Sequence, residues 1–159
     1  MRLRRLAGRG RGDTVGSMRL SLALASLIVL PGGAQAWSFA PTPICTLSQA
    51  AFGLDTQVTF DPSQGLYTLT LTRPQGWPEA PVFAIRFDGA SPLTISTDRH
   101  RVEGTRIVVT DSGFGNVLSG LEANTTATAT VGDVSVRIDL AEAAGPVATF
   151  RACPATPSV

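Results

Sequence analysis

The densest group of side chains that could do chemistry lies in five consecutive residues, Thr97, Asp98, Arg99, His100 and Arg101. A histidine can act as a general base when a carboxylate orients it and a hydroxyl nearby supplies the nucleophile. In this chain Asp98, His100 and Ser112 would fill those roles. The chain lacks a Gly-x-Ser-x-Gly motif, however, and Asp98 and His100 on one strand would share a face without meeting head-on.

The same run can be a solvated loop between two strands, in which arginines balance nearby acidic residues, as charge clusters in loops usually do. A third interpretation is binding of an anionic ligand, because guanidinium groups fit carboxylates and phosphates. We therefore assign no catalytic residue. The candidate ligand-binding residues here are Arg99, His100, Arg101 and Arg106.

Trp77 is a further candidate, because it lies in a segment with three prolines and a glycine, residues 73–81, that cannot join a β-ladder. An exposed indole there could stack on a sugar or a partner protein. More often such a tryptophan folds back and covers the edge of a sheet.

Residues 107–113 (IVVTDSG) form a strand-like run followed by Asp-Ser-Gly. This pattern resembles the signature of aspartic proteases, especially the small dimeric retroviral type. The resemblance implies a dimer in which Asp111 of each subunit shares one proton with its counterpart. Thr110 stands where those enzymes carry an apolar residue, and Phe114 where they carry a small one. Asp-Ser-Gly is also common turn chemistry at a strand end, so a hydrolase using Asp111 is the alternative function.

The first 36 residues predict where the protein goes. The apolar run 20–30 follows arginines and precedes a small-x-small end, Ala34-Gln35-Ala36, which together are typical of a secretory signal peptide. The run is shorter than the about 20 residues that a membrane-spanning helix needs. We expect cleavage between Ala36 and Trp37 and a periplasmic or secreted product. Met18-Arg19 directly precedes the apolar run, so residues 1–17 look like a misassigned upstream extension.

Removal of residues 1–36 changes the charge of the protein. The whole chain has 13 arginines and 12 acidic residues, and six of the arginines and one acidic residue leave with the leader. The remaining 7 arginines and 11 acidic residues give residues 37–159 a net charge of −4. Such a domain has no long-range attraction for nucleic acid or anionic lipid.

The composition also excludes several kinds of chemistry. The chain has no lysine, which excludes a Schiff base, a phosphate-binding P-loop lysine and a Ser-Lys dyad. One histidine and two cysteines are too few for a zinc site rich in nitrogen or sulfur ligands. We expect no metal and no other cofactor.

Cys45 and Cys153 lie near the two ends of the predicted mature chain, which is long enough for one domain with its own core. In an oxidising compartment an isolated pair of this kind predicts a disulfide. The alternative is two free buried thiols.

The periodicity of the mature chain is that of β-structure. Alternating or apolar runs bounded by turn residues predict strands at 57–60, 66–71, 82–87, 93–96, 106–110, 125–131 and 134–140. Gly132-Asp133 between the last two favours a two-residue hairpin turn. Residues 39–43 are Pro-rich and should be extended and irregular.

Two segments have helical spacing. The segment 113–123 repeats apolar residues at Phe114, Val117, Leu118 and Leu121, and the tail predicts a short helix that begins near Pro146. We therefore expect a mainly β domain over residues 37–159: an antiparallel sandwich or open barrel of about seven short strands, with a short helix near 113–123 and a small C-terminal helix.

Several stretches of this chain, taken together, resemble a group of short exported proteobacterial proteins with no established activity. The stretches are residues 43–47, 77–87, 94–100, 113–118 and 150–153. Some members of that group carry an excinuclease ABC label, which this chain does not support, because it has no Gly-x-x-x-x-Gly-Lys loop and no helicase length. The layout of strands followed by a short helix ending in cysteine is also similar to the invasion-associated locus B family.

From the sequence we expect a non-catalytic binding or envelope-associated domain. Its partner would be a protein or a small molecule of the cell envelope, without nucleic acid and without a transmembrane segment after cleavage.

Overall fold

The computed structural model describes residues 36–153, which form two antiparallel β-sheets and two short helices. The predicted leader, including residues 1–17 and the apolar run, lies outside the described residues. The strands are β1 (Ser38–Ala40), β2 (Cys45–Ala51), β3 (Leu54–Asp61), β4 (Leu66–Thr72), β5 (Phe83–Gly89), β6 (Leu93–Thr97), β7 (Arg101–Glu103), β8 (Arg106–Asp111), β9 (Asn124–Val131) and β10 (Val134–Asp139). The helices are α1 (Gly115–Ala123) and α2 (Ala144–Arg151).

The larger sheet has the strand order β1-β2-β3-β4-β8-β7, and the smaller has the order β10-β9-β5-β6. The chain builds β1 to β4 as a meander, crosses to the second sheet for the hairpin β5–β6, and returns for β7–β8. It then forms α1, completes the second sheet with β9–β10, and ends in α2. The two sheets and the helices enclose one apolar core.

The predicted class of fold is confirmed: the described chain is mainly β, with two open antiparallel sheets rather than a closed barrel. All seven predicted strands are present as β3, β4, β5, β6, β8, β9 and β10. Three further strands, the seven-residue β2 and the three-residue β1 and β7, raise the number in residues 36–153 to ten. The expected number of about seven strands was therefore too low.

Of the three additional strands, β1 and β7 lie in segments predicted to be loops, and β2 lies in a segment without a prediction. β1 lies in the Pro-rich entry, where the sequence predicts irregular structure, and it pairs with β2, a segment in which the pattern predicts no element. β7 lies inside the polar run 98–105, where Glu103 pairs with Arg106 across the turn at Gly104. β1 and β7 are edge strands of three residues each. Strands this short bury little apolar surface, so they show almost no alternation of apolar and polar residues.

The hairpin β9–β10 turns at Gly132-Asp133 as predicted, with Val131 opposite Val134 and Gly132 at a φ of 57°. Along β10 the apolar side chains face the core and the polar ones face solvent. The turn between β3 and β4 is closed by Asp61, whose carboxylate accepts hydrogen bonds from the Ser63 hydroxyl at 2.6 Å and the Gln64 amide at 2.7 Å. These bonds hold the pKa of Asp61 below its ordinary value, because they favour the charged form.

Helix α1 buries the apolar face that its sequence predicted, and it packs against β9 and α2. It lies close to the smaller sheet at Gly120, where a Cβ atom would lie 2.7 Å from the ring of Phe87. Phe87 is fully buried. A glycine is required at this position because the ring takes the space of a side chain.

The predicted C-terminal helix is present as α2, and it turns Val147 and Phe150 into the core. It leads into Cys153, which forms a disulfide with Cys45 at the start of β2, with 6.5 Å between the two Cα atoms. The predicted disulfide is therefore present, and it links residues 108 positions apart in the sequence.

In the described part of the chain, none of the helices has the length and apolar character needed to cross a bilayer.

We predict that loss of the disulfide strongly destabilises the domain. In the chain-entropy model a loop of about 100 residues corresponds to about 4–5 kcal/mol. Guanidinium unfolding of the oxidised and the reduced protein should differ by roughly that amount, and the Cys45→Ala/Cys153→Ala variant should resemble the reduced protein with or without reductant. A difference below about 1 kcal/mol would show that the bridge hardly constrains the unfolded chain.

We also predict that Gly120→Ala lowers the free energy of unfolding by about 1–3 kcal/mol, because the new methyl group overlaps the ring of Phe87. Gly115→Ala is the matched control, since it lies in the same helix and its Cβ would meet no atom within 4 Å. This variant should be unchanged or up to about 1 kcal/mol more stable. Equal stability of the two variants would contradict the packing account.

Candidate functional site

A cavity of about 320 Å³ lies between the two sheets, beside the first turn of α1. It is lined by Leu69, Phe83, Ile85, Ile95, Ser96, Thr97, Asp98, Arg99, Val109, Asp111, Gly113, Phe114 and Val117. The apolar residues come from β4, β5, β6, β8 and α1, and most of them are buried. Its volume is at the lower end of the range of ligand pockets, about 300–1,000 Å³.

The charged residues of the cavity come from the end of β8 and from the connection between β6 and β7. They are Asp98, Arg99 and Asp111. A guanidinium nitrogen of Arg99 lies 3.6 Å from a carboxylate oxygen of Asp111. Both side chains are well exposed, at 75% and 40%, so this ion pair contributes little to stability.

The carboxylate of Asp111 is held by its own turn. Its Oδ1 atom accepts a hydrogen bond from the backbone N–H of Gly113 at 2.9 Å. This is an Asx-turn, in which the side chain ends the strand and directs the backbone toward α1. Directly across the sheet, Asp111 is paired in register with Tyr67.

His100 does not line the cavity; it lies behind one of the cavity walls. Its ring is 6.2 Å from that of Phe83, measured between centroids, and its Nδ1 atom is buried without a hydrogen-bond partner among residues 36–153. The geometry required of a carboxylate-oriented base, with Asp98 bonded to the imidazole, is thus not made in the described chain. Ser112, the nucleophile in that interpretation, is exposed.

Arg101 and Arg106 are separated from Arg99. Both pair with Glu103, at 3.6 Å and 3.1 Å respectively. They lie on the outer face of the larger sheet, because their neighbour Ile107 points inward and is buried. The structure therefore does not bring the three arginines of the proposed anion site together.

Trp77 does not line the cavity either. It is 7% exposed, and its indole N–H donates a hydrogen bond to the carbonyl oxygen of Leu71 at 3.0 Å. The guanidinium of Arg73 covers the ring at 5.4 Å from its centroid. Of the two interpretations of Trp77, the structure has the one in which the ring folds back on the sheet, so the indole is not open to a ligand.

The described residues contain no group of three or more histidine, cysteine, aspartate or glutamate side chains placed to hold a metal ion. What the cavity offers is a mostly apolar, partly open surface with carboxylate, guanidinium and hydroxyl groups in its lining. Such an arrangement can bury the apolar part of a small molecule and orient its polar end.

Sequence reasoning found the charged residues of this site but not its walls. Leu69, Ile85, Ile95 and Val109 were assigned to strands, yet nothing in the pattern said which strands face each other. The useful signal was the position of Asp98, Arg99 and Asp111 at strand ends, where loops carry function more often than strands do.

Comparison of the chain with protein-family models, with curated proteins and with solved structures finds no match. The resemblances drawn from the sequence therefore stay predictions. The function proposed below rests on the cavity.

We predict that Asp111→Ala lowers the free energy of unfolding by about 1 kcal/mol, because the N–H of Gly113 loses its acceptor. Asp111→Asn keeps that acceptor and should change stability by less than about 0.5 kcal/mol, since it loses only an exposed ion pair. Urea unfolding at neutral pH measures both variants. Equal losses would mean that the charge of Asp111, rather than the turn, stabilises this corner.

Proposed function

We propose that the chain is exported, trimmed after Ala36, and acts in the cell envelope as a non-catalytic domain that binds a small molecule between its two sheets. The observation that carries this proposal is the cavity of about 320 Å³, whose walls are apolar and whose charged groups belong to two strand ends. Binding in such a cavity would remove apolar surface of the ligand from water, and each Å² removed would favour binding by about 25 cal/mol.

The way in which the polar groups are used supports binding rather than catalysis. Asp111 is engaged by its own turn and by Arg99. The imidazole of His100 packs beside Phe83 rather than lining the cavity. An acid–base group needs a hydrogen-bonded path to the reacting atom, and neither residue is set up in this way.

Two observations support export. The disulfide between Cys45 and Cys153 suits an oxidising compartment. Trp37 is only 5% exposed, and its indole N–H donates to the carbonyl oxygen of Asp139 at 2.9 Å, whereas Ala36 is exposed. Cleavage between them would therefore keep all of the core that the structure describes. The resemblance to exported proteobacterial proteins agrees with this location.

A hydrolase that uses Asp111 is the second candidate. The observation in its favour is that Asp98 and Asp111 line the same cavity, since hydrolases of several kinds use two carboxylates. In the form that the sequence resembles, such an enzyme would need a dimer.

The test begins with mature protein recovered after export from cells that express the full chain, and N-terminal sequencing should read Trp37. Neutral, anionic and cationic fragments of up to about 15 heavy atoms are then screened by methyl NMR. We expect binders that shift the methyl signals of Ile95, Val109 and Val117, because these side chains line the cavity. Ile95→Trp should abolish the shifts of Val109 and Val117 by filling the space.

Ile44→Trp is the matched control, because it is the same change at an exposed position that does not line the cavity. This variant should bind as the wild type does. A screen in which no fragment of any charge shifts these methyl signals would refute the proposal. Cleavage of peptides at acid pH that is lost in Asp111→Asn would favour the hydrolase instead.

A further inference from the structure

We propose that the ligand of this cavity is a small amphipathic cation, an ammonium group attached to a short alkyl or aryl chain. This inference rests on the proposed function, because it names the class of ligand for the same site. It is carried by the balance of charge in the cavity lining and by the aromatic rings of the walls.

The charges of the lining favour a cation. Two carboxylates, Asp98 and Asp111, face one guanidinium, that of Arg99. Arg99 already pairs with Asp111. Asp98 forms no ion pair within the described residues, which leaves one uncompensated negative charge in the lining.

An anion would find no comparable partner. Arg101 and Arg106 both pair with Glu103 on the outer face of the larger sheet. An anion bound to Arg99 would lie beside two carboxylates, those of Asp98 and Asp111, which would repel it. The net charge of −4 over residues 37–159 adds a weak long-range preference in the same direction.

The walls also suit a cation with an apolar substituent. Phe83 and Phe114 both line the cavity. Phe114 is stacked on Tyr67, with ring centroids 5.5 Å apart and planes inclined by 8°, so Tyr67 covers one face of Phe114 and an ammonium group could meet only the other. Aromatic faces attract ammonium groups, and more strongly so where water is excluded. The volume of the cavity limits the substituent to a short chain or a single ring.

The test compares three probes of similar size with the mature domain: hexyltrimethylammonium, hexanoate and hexanol. Calorimetry or NMR titration gives each affinity. We expect the ammonium probe to bind at least about five-fold more tightly than hexanoate, and added salt should reduce this preference. Asp98→Asn should weaken binding of the ammonium probe about two- to five-fold, as loss of an exposed charge pair does. Asp111→Asn should do the same.

The variant Arg99→Gln separates the two signs of charge most sharply. It frees Asp111 and should tighten binding of the ammonium probe, whereas an anion site would lose affinity. Asp55→Asn is the matched charge control, because Asp55 is exposed on β3 and does not line the cavity. It should leave all affinities unchanged. Asp98→Asn keeps the test valid should Asp111→Asn fold poorly, because Asp98 supports no turn comparable to that of Asp111.

Tighter binding of hexanoate, with loss in Arg99→Gln, would overturn the inference and leave the proposed binding function intact. If the domain bound hexanol most tightly and no charge variant changed any affinity, the inference would also be overturned and the proposed binding function would again stay intact. Binding of none of the three probes, in a domain whose cavity methyl signals respond to no fragment, would overturn the inference and the proposed function together.

Discussion

A cluster of aromatic rings packs α2 and the residue before α1 against the larger sheet, and one wall of the cavity belongs to it. Phe60 stacks on Tyr67 with 4.4 Å between ring centroids, and Tyr67 stacks in turn on Phe114 at 5.5 Å. Phe150 of α2 meets both Tyr67 and Phe39 at 6.2 Å. The cluster thus joins β1, β3 and β4 to the residue before α1 and to α2. Because Phe114 is also a wall of the cavity, the position of that wall is set by packing outside the site.

The sequence predicted most of the fold because local patterns and tertiary packing agree along most of the chain. Alternation in 134–140 and helical spacing in 113–123 both bury the side that they predicted. The hairpin β2–β3 was missed because its turn is Phe52-Gly53. Phe52 has a φ of 53° and is 83% exposed, a position where turns of this kind prefer asparagine or glycine. In the sequence, a phenylalanine at this position resembles part of an apolar run and so does not indicate a turn.

The site was less predictable than the fold, because charged residues that are close in sequence can have different ion-pair partners and lie in different parts of the structure. Arg99 and Arg101 are two positions apart, yet Arg99 pairs with Asp111 at the cavity and Arg101 pairs with Glu103 on the outer face. Arg101 is the first residue of β7, which the pattern did not show, whereas Arg99 lies in the loop before that strand. The walls depend on which strands of the two sheets face each other, and this is decided by pairings such as β4 with β8, far apart in sequence.

The cavity is not explained by a general mismatch between the sheets, because the same core is packed closely elsewhere. Under α1, the ring of Phe87 fills the place that a side chain at position 120 would take. The inner face of β9 carries Ala127 and Ala129, both without exposed surface, so small side chains occur where the space is narrow. Protein cores contain few empty spaces larger than a water molecule. The cavity of about 320 Å³ is partly open to solvent and is bordered by Asp98 and Asp111. It therefore differs from the closely packed core in its chemistry as well as in its packing, and the proposed binding function rests on that difference.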